Sequence, residues 1–235
     1  MNEALISLLT LTILEVVLGI DNIIFISILA AKVPADQQKK ARNYGLMLGM
    51  VVRIILLFGL NFIQQQDKPL FTIFNNGISG KDLLLIAGGL FLMYQSVHEI
   101  HEKMKGVQEE IKDRTSAKGW SGIILQMILI NVVFSLDSVI TAVGMAKELW
   151  VMIAAVVISM IIMLIASKPI SDFVNNNPSI KILALSFLVM IGMSLFAEGF
   201  HQHINKGYIY FAMAFSFGIE LINLRVDKKS AKRPA

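Results

Sequence analysis

Six ionisable side chains interrupt long apolar stretches of the sequence, and five of them are acidic. An ionisable group at the centre of a bilayer costs at least about 2.5–3.5 kcal/mol, so such residues usually face a protein interior and mark a pathway. One arginine cannot neutralise five carboxylates. Either several of the acids are protonated, or a bound cation supplies the missing charge. The six residues are Glu15, Asp21, Arg53, Asp137, Glu198 and Glu220.

Two of these acids stand beside further oxygen ligands. Asn22 follows Asp21, and Ser138 follows Asp137. Carboxylate, amide and hydroxyl oxygens are hard ligands, which suit Mg²⁺, Ca²⁺ or Mn²⁺ better than soft ions. These four residues are therefore candidate ligands of a divalent cation.

Helical geometry decides whether the first group of ligands can converge. At 100° per residue, Glu15 and Asn22 lie about 20° apart on an unbroken helix, whereas Asp21 lies about 120° from Glu15. The three residues converge fully only if the helix unwinds near Gly19, since glycine permits such a break. Around Asp137, further amide and hydroxyl oxygens are offered by Asn131, Ser135 and Thr141.

A structural role is the alternative for several of these groups. Arg53 would then pair with the acids only to hold helices together. Glu198 and Glu220 lie near the ends of their apolar stretches and would reach towards water. Two histidine pairs could serve as gates or entry sites, or belong to solvated surfaces. These pairs are His98 with His101 and His201 with His203.

The composition predicts the elements that must position these residues. Of 235 residues, 55% are hydrophobic and 16% are charged, with a mean hydropathy of +0.67. Soluble domains carry about 25% charged residues, so a soluble enzyme, a nucleic-acid binder and a secreted domain are excluded. Apolar stretches of about 18 residues or more predict an all-α integral membrane protein with seven transmembrane helices. The predicted spans are Ala4–Ala31, Tyr44–Ile63, Leu83–His98, Gly119–Met145, Trp150–Ser167, Ile180–Phe200 and Tyr208–Leu224.

The distribution of lysine and arginine predicts the orientation. With the N-terminus outside, 16 of these residues fall on the inner side and four on the outer side, and Arg53 lies within a span. This positive-inside bias predicts an N-out, C-in topology. The basic tail, residues 225–235, belongs to the inner side.

The first and fourth spans match each other when the sequence is shifted by 116 residues. EVVLGIDNII at 15–24 then aligns with NVVFSLDSVI at 131–140, and Asp21 aligns with Asp137. A weaker match, shifted by 103, aligns 89–98 with 192–201, and with them His98 and His201. Three spans per copy make the second copy inverted, the plan of many secondary transporters. The chain is thus one transmembrane domain with repeats at about 4–100 and 119–203 and a seventh helix at about 208–224.

The segments LEVVLGIDNIIFISIL (14–29) and SLDSVITAVGMA (135–146) resemble those of the TerC family of integral membrane proteins, and of a short branch of it in particular. The resemblance covers essentially the whole chain. It implies a seven-span relative of LysE-type transporters, several members of which are described as manganese exporters. Matching its motifs implies a metal site made by Asp21, Asn22, Asp137 and Ser138, with Glu15 beside them.

The leading hypothesis is therefore a divalent-cation transporter that exports Mn²⁺ by alternating access and exchanges it for protons. The ion is a substrate, and no organic cofactor or nucleic-acid partner is expected. The predicted location is a bacterial inner membrane, where a homo-oligomer is compatible with the sequence. Ca²⁺, Mg²⁺ and Zn²⁺ stay open as substrates.

Two other functions are alternatives to transport. Some relatives are implicated in membrane-protein assembly, a role that needs no buried metal site. Asp21 and Asp137 could instead form the dyad of an intramembrane aspartyl protease. The contexts LGIDN and SLDSV do not match such proteases, and the chain has no cysteine nucleophile, so no enzyme is expected.

Overall fold

Seven helices account for most of the residues that the structure describes. The computed structural model of the protein describes residues 2–59, 69–73, 76–104, 117–145, 148–202 and 204–230. Each of the seven is long and apolar enough to cross a membrane, which confirms the predicted all-α membrane architecture. They are α1 (Asn2–Ala30), α2 (Ala35–Phe58), α3 (Gly80–Met104), α4 (Ala117–Met145), α5 (Leu149–Asn176), α6 (Pro178–Glu198) and α7 (Lys206–Ser230).

The helices extend beyond the apolar segments that predict them. α2 begins at Ala35 rather than Tyr44, and α5 continues past Ser167 to Asn176 with Pro169 inside it. Hydropathy marks the part of a helix that matches the hydrocarbon, whereas helical hydrogen bonding continues into polar sequence. Residues 60–63 of the second predicted span lie outside the described residues.

α1 is continuous through Gly19, so the unwinding that would let Glu15, Asp21 and Asn22 converge does not occur. α4 is likewise continuous around residue 137. Gly19 instead allows close packing, because a Cβ atom there would collide with the Met163 sulfur of α5. The condition for full convergence of the three residues, a helix unwound near Gly19, is therefore not met.

A short β-hairpin lies where the sequence predicts a loop. Strands β1 (Pro69–Ile73) and β2 (Asn76–Ser79) pair antiparallel, and β2 leads directly into α3. At the junction the Ser79 N–H donates to the Asp82 carboxylate at 2.9 Å, and the Asp82 N–H donates to Ser79 Oγ at 3.2 Å. This reciprocal bonding, like that of a capping box, starts α3.

The helices pack in two groups. α1, α2, α4 and α5 pack on one another and form a four-helix group, here called the bundle. α3 and α6 pack most extensively on each other and form a second group, here called the arm, with α7 against α6. Contacts between arm and bundle are less extensive than the contacts inside either group.

The two helices of the arm run antiparallel and cross at a pair of glycines. Gly199, just past the end of α6, lies against Asp82 in the first turn of α3. A Cβ atom on Gly89 would lie 2.5 Å from the carbonyl oxygen of Gly192, and one on Gly192 would lie 2.8 Å from that of Gly89. Glycine at both positions thus lets the backbones approach closely.

The packing has the exchange symmetry that an inverted repeat predicts. In the predicted repeat, α1, α2 and α3 correspond to α4, α5 and α6. The contact of α1 with α5 therefore corresponds to that of α4 with α2, and both are present. The contact of α1 with α6 likewise corresponds to that of α4 with α3, and both are present. Gly89 and Gly192, which the weaker sequence match pairs, meet each other at the crossing of the arm. Contact between equivalent residues is characteristic of a two-fold axis. The inverted repeat and the orientation in the membrane both stay predictions.

The outer surface is rich in large apolar side chains. Ile165 of α5 and Phe211 and Phe215 of α7 are among those exposed. Exposed apolar surface of this extent is unfavourable in water and is matched by lipid tails.

Candidate functional site

A cavity lies between the bundle and the arm with α7. Its wall combines apolar side chains with polar groups from five helices. The cavity belongs to the half of the protein where α2, α4 and α6 end and α7 begins, because residues from those parts of the helices line it. The polar groups are those of Asp21, Arg53, Ser138, Ser194, Lys206 and Tyr210.

The cavity brings together the two motifs that the repeat pairs. Asp21 comes from α1, and Ser138 comes from α4, where it directly follows Asp137. The Asp137 side chain lies outside the described residues, as does that of Thr141. The Ser138 hydroxyl donates to the carbonyl of Ser135 at 3.2 Å, which leaves its oxygen lone pairs available to a ligand.

Two buried oxygens beside these motifs have no hydrogen-bond partner among the described residues. They are Oδ1 of Asn22 on α1 and Oγ of Ser135 on α4. Buried polar atoms are nearly always paired, so an orphaned oxygen in a helix needs an explanation. A bound cation or an ordered water would supply the missing partner.

Arg53 connects Glu15 to the cavity. Glu15 and Arg53 are each only 3% exposed, and their side chains form an ion pair between α1 and α2. Arg53 also lines the cavity with Asp21, whereas Glu15 is not among the lining residues. Glu15 therefore influences the cavity through Arg53, which matches the pairing role expected as the structural alternative for Arg53.

A second base, Lys206, lines the cavity from the first turn of α7. Its ammonium group lies 3.5 Å from the Glu198 carboxylate at the end of α6. The Glu198 side chain is about four-fifths buried, so this acid is held by a base rather than extended into water. Asp21 is an acid on the cavity wall, and it forms no ion pair with a described base.

Asn131 has a packing role at the contact between α2 and α4. Its side-chain amide donates to the carbonyls of Gly45 at 3.1 Å and Met127 at 2.9 Å. A Cβ atom on Gly49 would lie 2.5 Å from its Oδ1 atom, so the glycine makes room for this side chain. The residue fixes the helix that carries the second motif.

The remaining predicted residues lie outside the cavity wall. His98 pairs with Glu102 at 3.2 Å on the exposed end of α3, where His101 is also exposed. His201 pairs with Asp82 at 3.0 Å. Glu220 accepts a hydrogen bond of 3.4 Å from Asn223, which lies within the same helix. His203 lies outside the described residues.

Acids and histidines do not by themselves form a metal site among the described side chains. No three of them converge among the described side chains, which do not include that of Asp137. A cation site at the cavity would therefore need neutral oxygens as well as carboxylates. Ser194 and Tyr210 are cavity residues that the sequence did not single out, because a lone hydroxyl in an apolar helix gives no pattern.

The fold and cavity define a class: an integral membrane protein with seven helices able to span a membrane and charged groups at a cavity between them. The chain belongs to the TerC family, since the profile of the "Integral membrane protein TerC family" matches residues 1–235. Together with relatives named inner membrane proteins, the seven spans assign it to the bacterial inner membrane.

Several curated proteins are similar over nearly the whole chain. A UPF0053 protein of Haemophilus influenzae is 51% identical over 226 residues, which cover 96% of this chain and 95% of the relative. The UPF0053 inner membrane protein YgdQ of Escherichia coli is 49% identical over 228 residues, covering 97% and 95%. YoaE of Escherichia coli is 48% identical over 219 residues, but these cover 92% of this chain and only 42% of that longer protein. No solved structure matches the chain significantly.

Proposed function

We propose that this protein transports a divalent cation, with Mn²⁺ as the substrate, and that it acts as an exporter rather than an enzyme. The observation that carries the proposal is the meeting of Asp21 and Ser138, from the two matched motifs, at one cavity inside the helices. The TerC family assignment supports transport, and the choice of Mn²⁺ rests on resemblance to described exporters.

The charges around the cavity favour a cation of charge two. Bases pair with Glu15 and Glu198, whereas Asp21 has no ion pair with a described base. Asp137 directly precedes Ser138 and is the further acid that the repeat assigns to this site. These groups contain two more acids than bases, a difference that one divalent cation balances. The acids are Glu15, Asp21, Asp137 and Glu198, and the bases are Arg53 and Lys206.

The proposed ligands are hard oxygens from both motifs. Asp21 and Asp137 supply carboxylates, and Ser138 supplies a hydroxyl. The buried Oδ1 atom of Asn22 has no described partner, but Asn22 does not line the cavity, so it is left out of the proposed ligands. Such a set suits Mn²⁺, Mg²⁺ or Ca²⁺ and disfavours soft ions.

Alternating access would use the division between bundle and arm. The cavity lies at the interface of these groups, so movement of one against the other changes which side it faces. Protonation of the carboxylates on the outer side weakens cation binding and releases the ion. Proton exchange is therefore the proposed driving force.

Mn²⁺ flux in proteoliposomes tests the proposal. Asp21→Asn should abolish flux, because it removes the carboxylate charge and changes little else. Asp172→Asn is the matched control, since Asp172 is an exposed acid on α5 that pairs with Lys168; it should transport like the unmodified protein. Equal transport by Asp21→Asn and the control would contradict the proposal.

A further inference from the structure

Serine hydroxyls in these helices usually bond within their own helix. Ser27, Ser159 and Ser186 each donate to the carbonyl three or four residues earlier, at 2.6, 2.9 and 3.0 Å respectively. This back-bonding satisfies a hydroxyl in an apolar setting. A helical serine that lacks it has its hydroxyl available for another partner.

Ser194 of α6 is such a serine. It is 5% exposed and lines the cavity, and its hydroxyl makes no hydrogen bond with any part of the chain that the structure describes. Unlike Ser135 Oγ, its oxygen is not a fully enclosed orphan; it opens onto the cavity, where an ion or a water can bond it. Ser186 of the same helix, by contrast, is exposed and its hydroxyl is bonded to the carbonyl of Ile182.

The position of Ser194 matters because it belongs to the arm. Asp21 and Ser138, on the same cavity wall, belong to the bundle. Lys206 and Tyr210, the other polar wall residues on this side, come from α7, and Lys206 is a cation that repels another cation. Ser194 is thus the neutral oxygen that α6 contributes to the cavity wall that also contains Asp21.

We infer that Ser194 is a ligand of the transported cation and that the bound ion therefore joins the arm to the bundle. The inference rests on the proposed function and adds a residue that neither motif contains. A hydroxyl oxygen adds a hard ligand without adding charge, as the coordination of Mn²⁺ or Mg²⁺ requires once carboxylates have balanced the ion. The arm and the bundle share limited contact, so an ion bound by both would favour the arrangement in which the two groups lie together.

Mn²⁺ titration of the purified protein tests this role. Ser194→Ala should weaken binding about tenfold, the scale of one lost ligand of about 1.4 kcal/mol. Ser194→Thr, which keeps the hydroxyl, should bind within about threefold of the unmodified protein by the same relation. Ser186→Ala on the same helix is the matched control and should bind Mn²⁺ unchanged.

Two further measurements separate ligation from a structural role. The melting temperature without metal should be the same for Ser194→Ala and Ser186→Ala, whereas the rise on adding Mn²⁺ should be smaller for Ser194→Ala. Unchanged Mn²⁺ affinity in Ser194→Ala, together with lost binding in Asp21→Asn, overturns the role of Ser194 and leaves the proposed function standing. Unchanged affinity in both variants overturns the proposed function itself.

Discussion

Arg53 is the residue on which the charge balance of the cavity depends. It binds the buried carboxylate of Glu15 and lines the cavity beside Asp21, so one guanidinium influences two acids from α1. Removing one partner of a buried ion pair leaves an uncompensated charge, whereas removing both can be neutral. The pair therefore stabilises the contact between α1 and α2 only as long as both members are present.

Arg53→Met should lower stability by about 3–5 kcal/mol because it leaves Glu15 buried and unpaired. Glu15→Leu combined with Arg53→Met should recover most of that loss. Thermal unfolding in detergent measures both effects. The matched control is Lys168→Met, which breaks the exposed pair with Asp172 and should cost about 1 kcal/mol or less. Equal destabilisation by Arg53→Met and Lys168→Met would contradict the importance of burial.

Individual residues of the site differ in how far the sequence predicts them. The sequence singles out Asp21 and Asp137, and with Asp137 the adjacent Ser138, because a charged residue is rare within an apolar stretch. The partner of Glu15 could not be predicted, since α1 is unbroken and the packing of α2 decides which acid meets Arg53. Ser194 could not be identified either, because only the cavity distinguishes it from back-bonded serines.

At the scale of elements, the crossing of α3 and α6 at Gly89 and Gly192 determines the arm. A Cβ atom added at either position would meet the backbone of the other helix, which cannot move aside as a flexible side chain can. The antiparallel crossing therefore tolerates no side chain at either position without separating the helices.

Gly89→Ala should destabilise the protein by about 1–3 kcal/mol, the usual cost of overpacking, despite the better helix propensity of alanine. Gly218→Ala in α7 is the matched control, because a Cβ atom there meets nothing within 4 Å. The control should be neutral or stabilising by up to about 1 kcal/mol. Melting temperatures in detergent compare the two, and a neutral Gly89→Ala would show that the helices do not cross so closely.

The sequence predicts the existence of the helices far better than their ends and turns. Hydropathy located all seven spans, because lipid demands a continuous apolar stretch. It did not locate the start of α2 at Ala35 or the hairpin formed by Pro69–Ile73 and Asn76–Ser79, where local hydrogen bonding decides. The sequence allows a helix break at Gly19, but the helix is unbroken and the glycine contacts Met163 of another helix.

At the scale of the whole molecule, the antiparallel packing of α3 on α6 bears on the direction in which each half of the chain crosses the membrane. The contact of Gly199 with the first turn of α3 shows that α3 and α6 run in opposite directions, as the predicted repeat of three spans per copy would require. The relative directions of the helices are therefore set by the fold. The distribution of lysine and arginine predicts which end faces the cytoplasm.

Single-cysteine labelling tests that orientation, because the chain has no cysteine and each introduced thiol is unique. Lys39 and Gln202 are both exposed, and they lie near opposite ends of the helices, in the first two turns of α2 and after α6 respectively. A membrane-impermeant thiol reagent added to intact spheroplasts should label Gln202→Cys and spare Lys39→Cys until the membrane is permeabilised. The opposite pattern would reverse the predicted topology. It would also make the cavity, which lies at the end of the protein where α7 begins, face the cytoplasm rather than the outside.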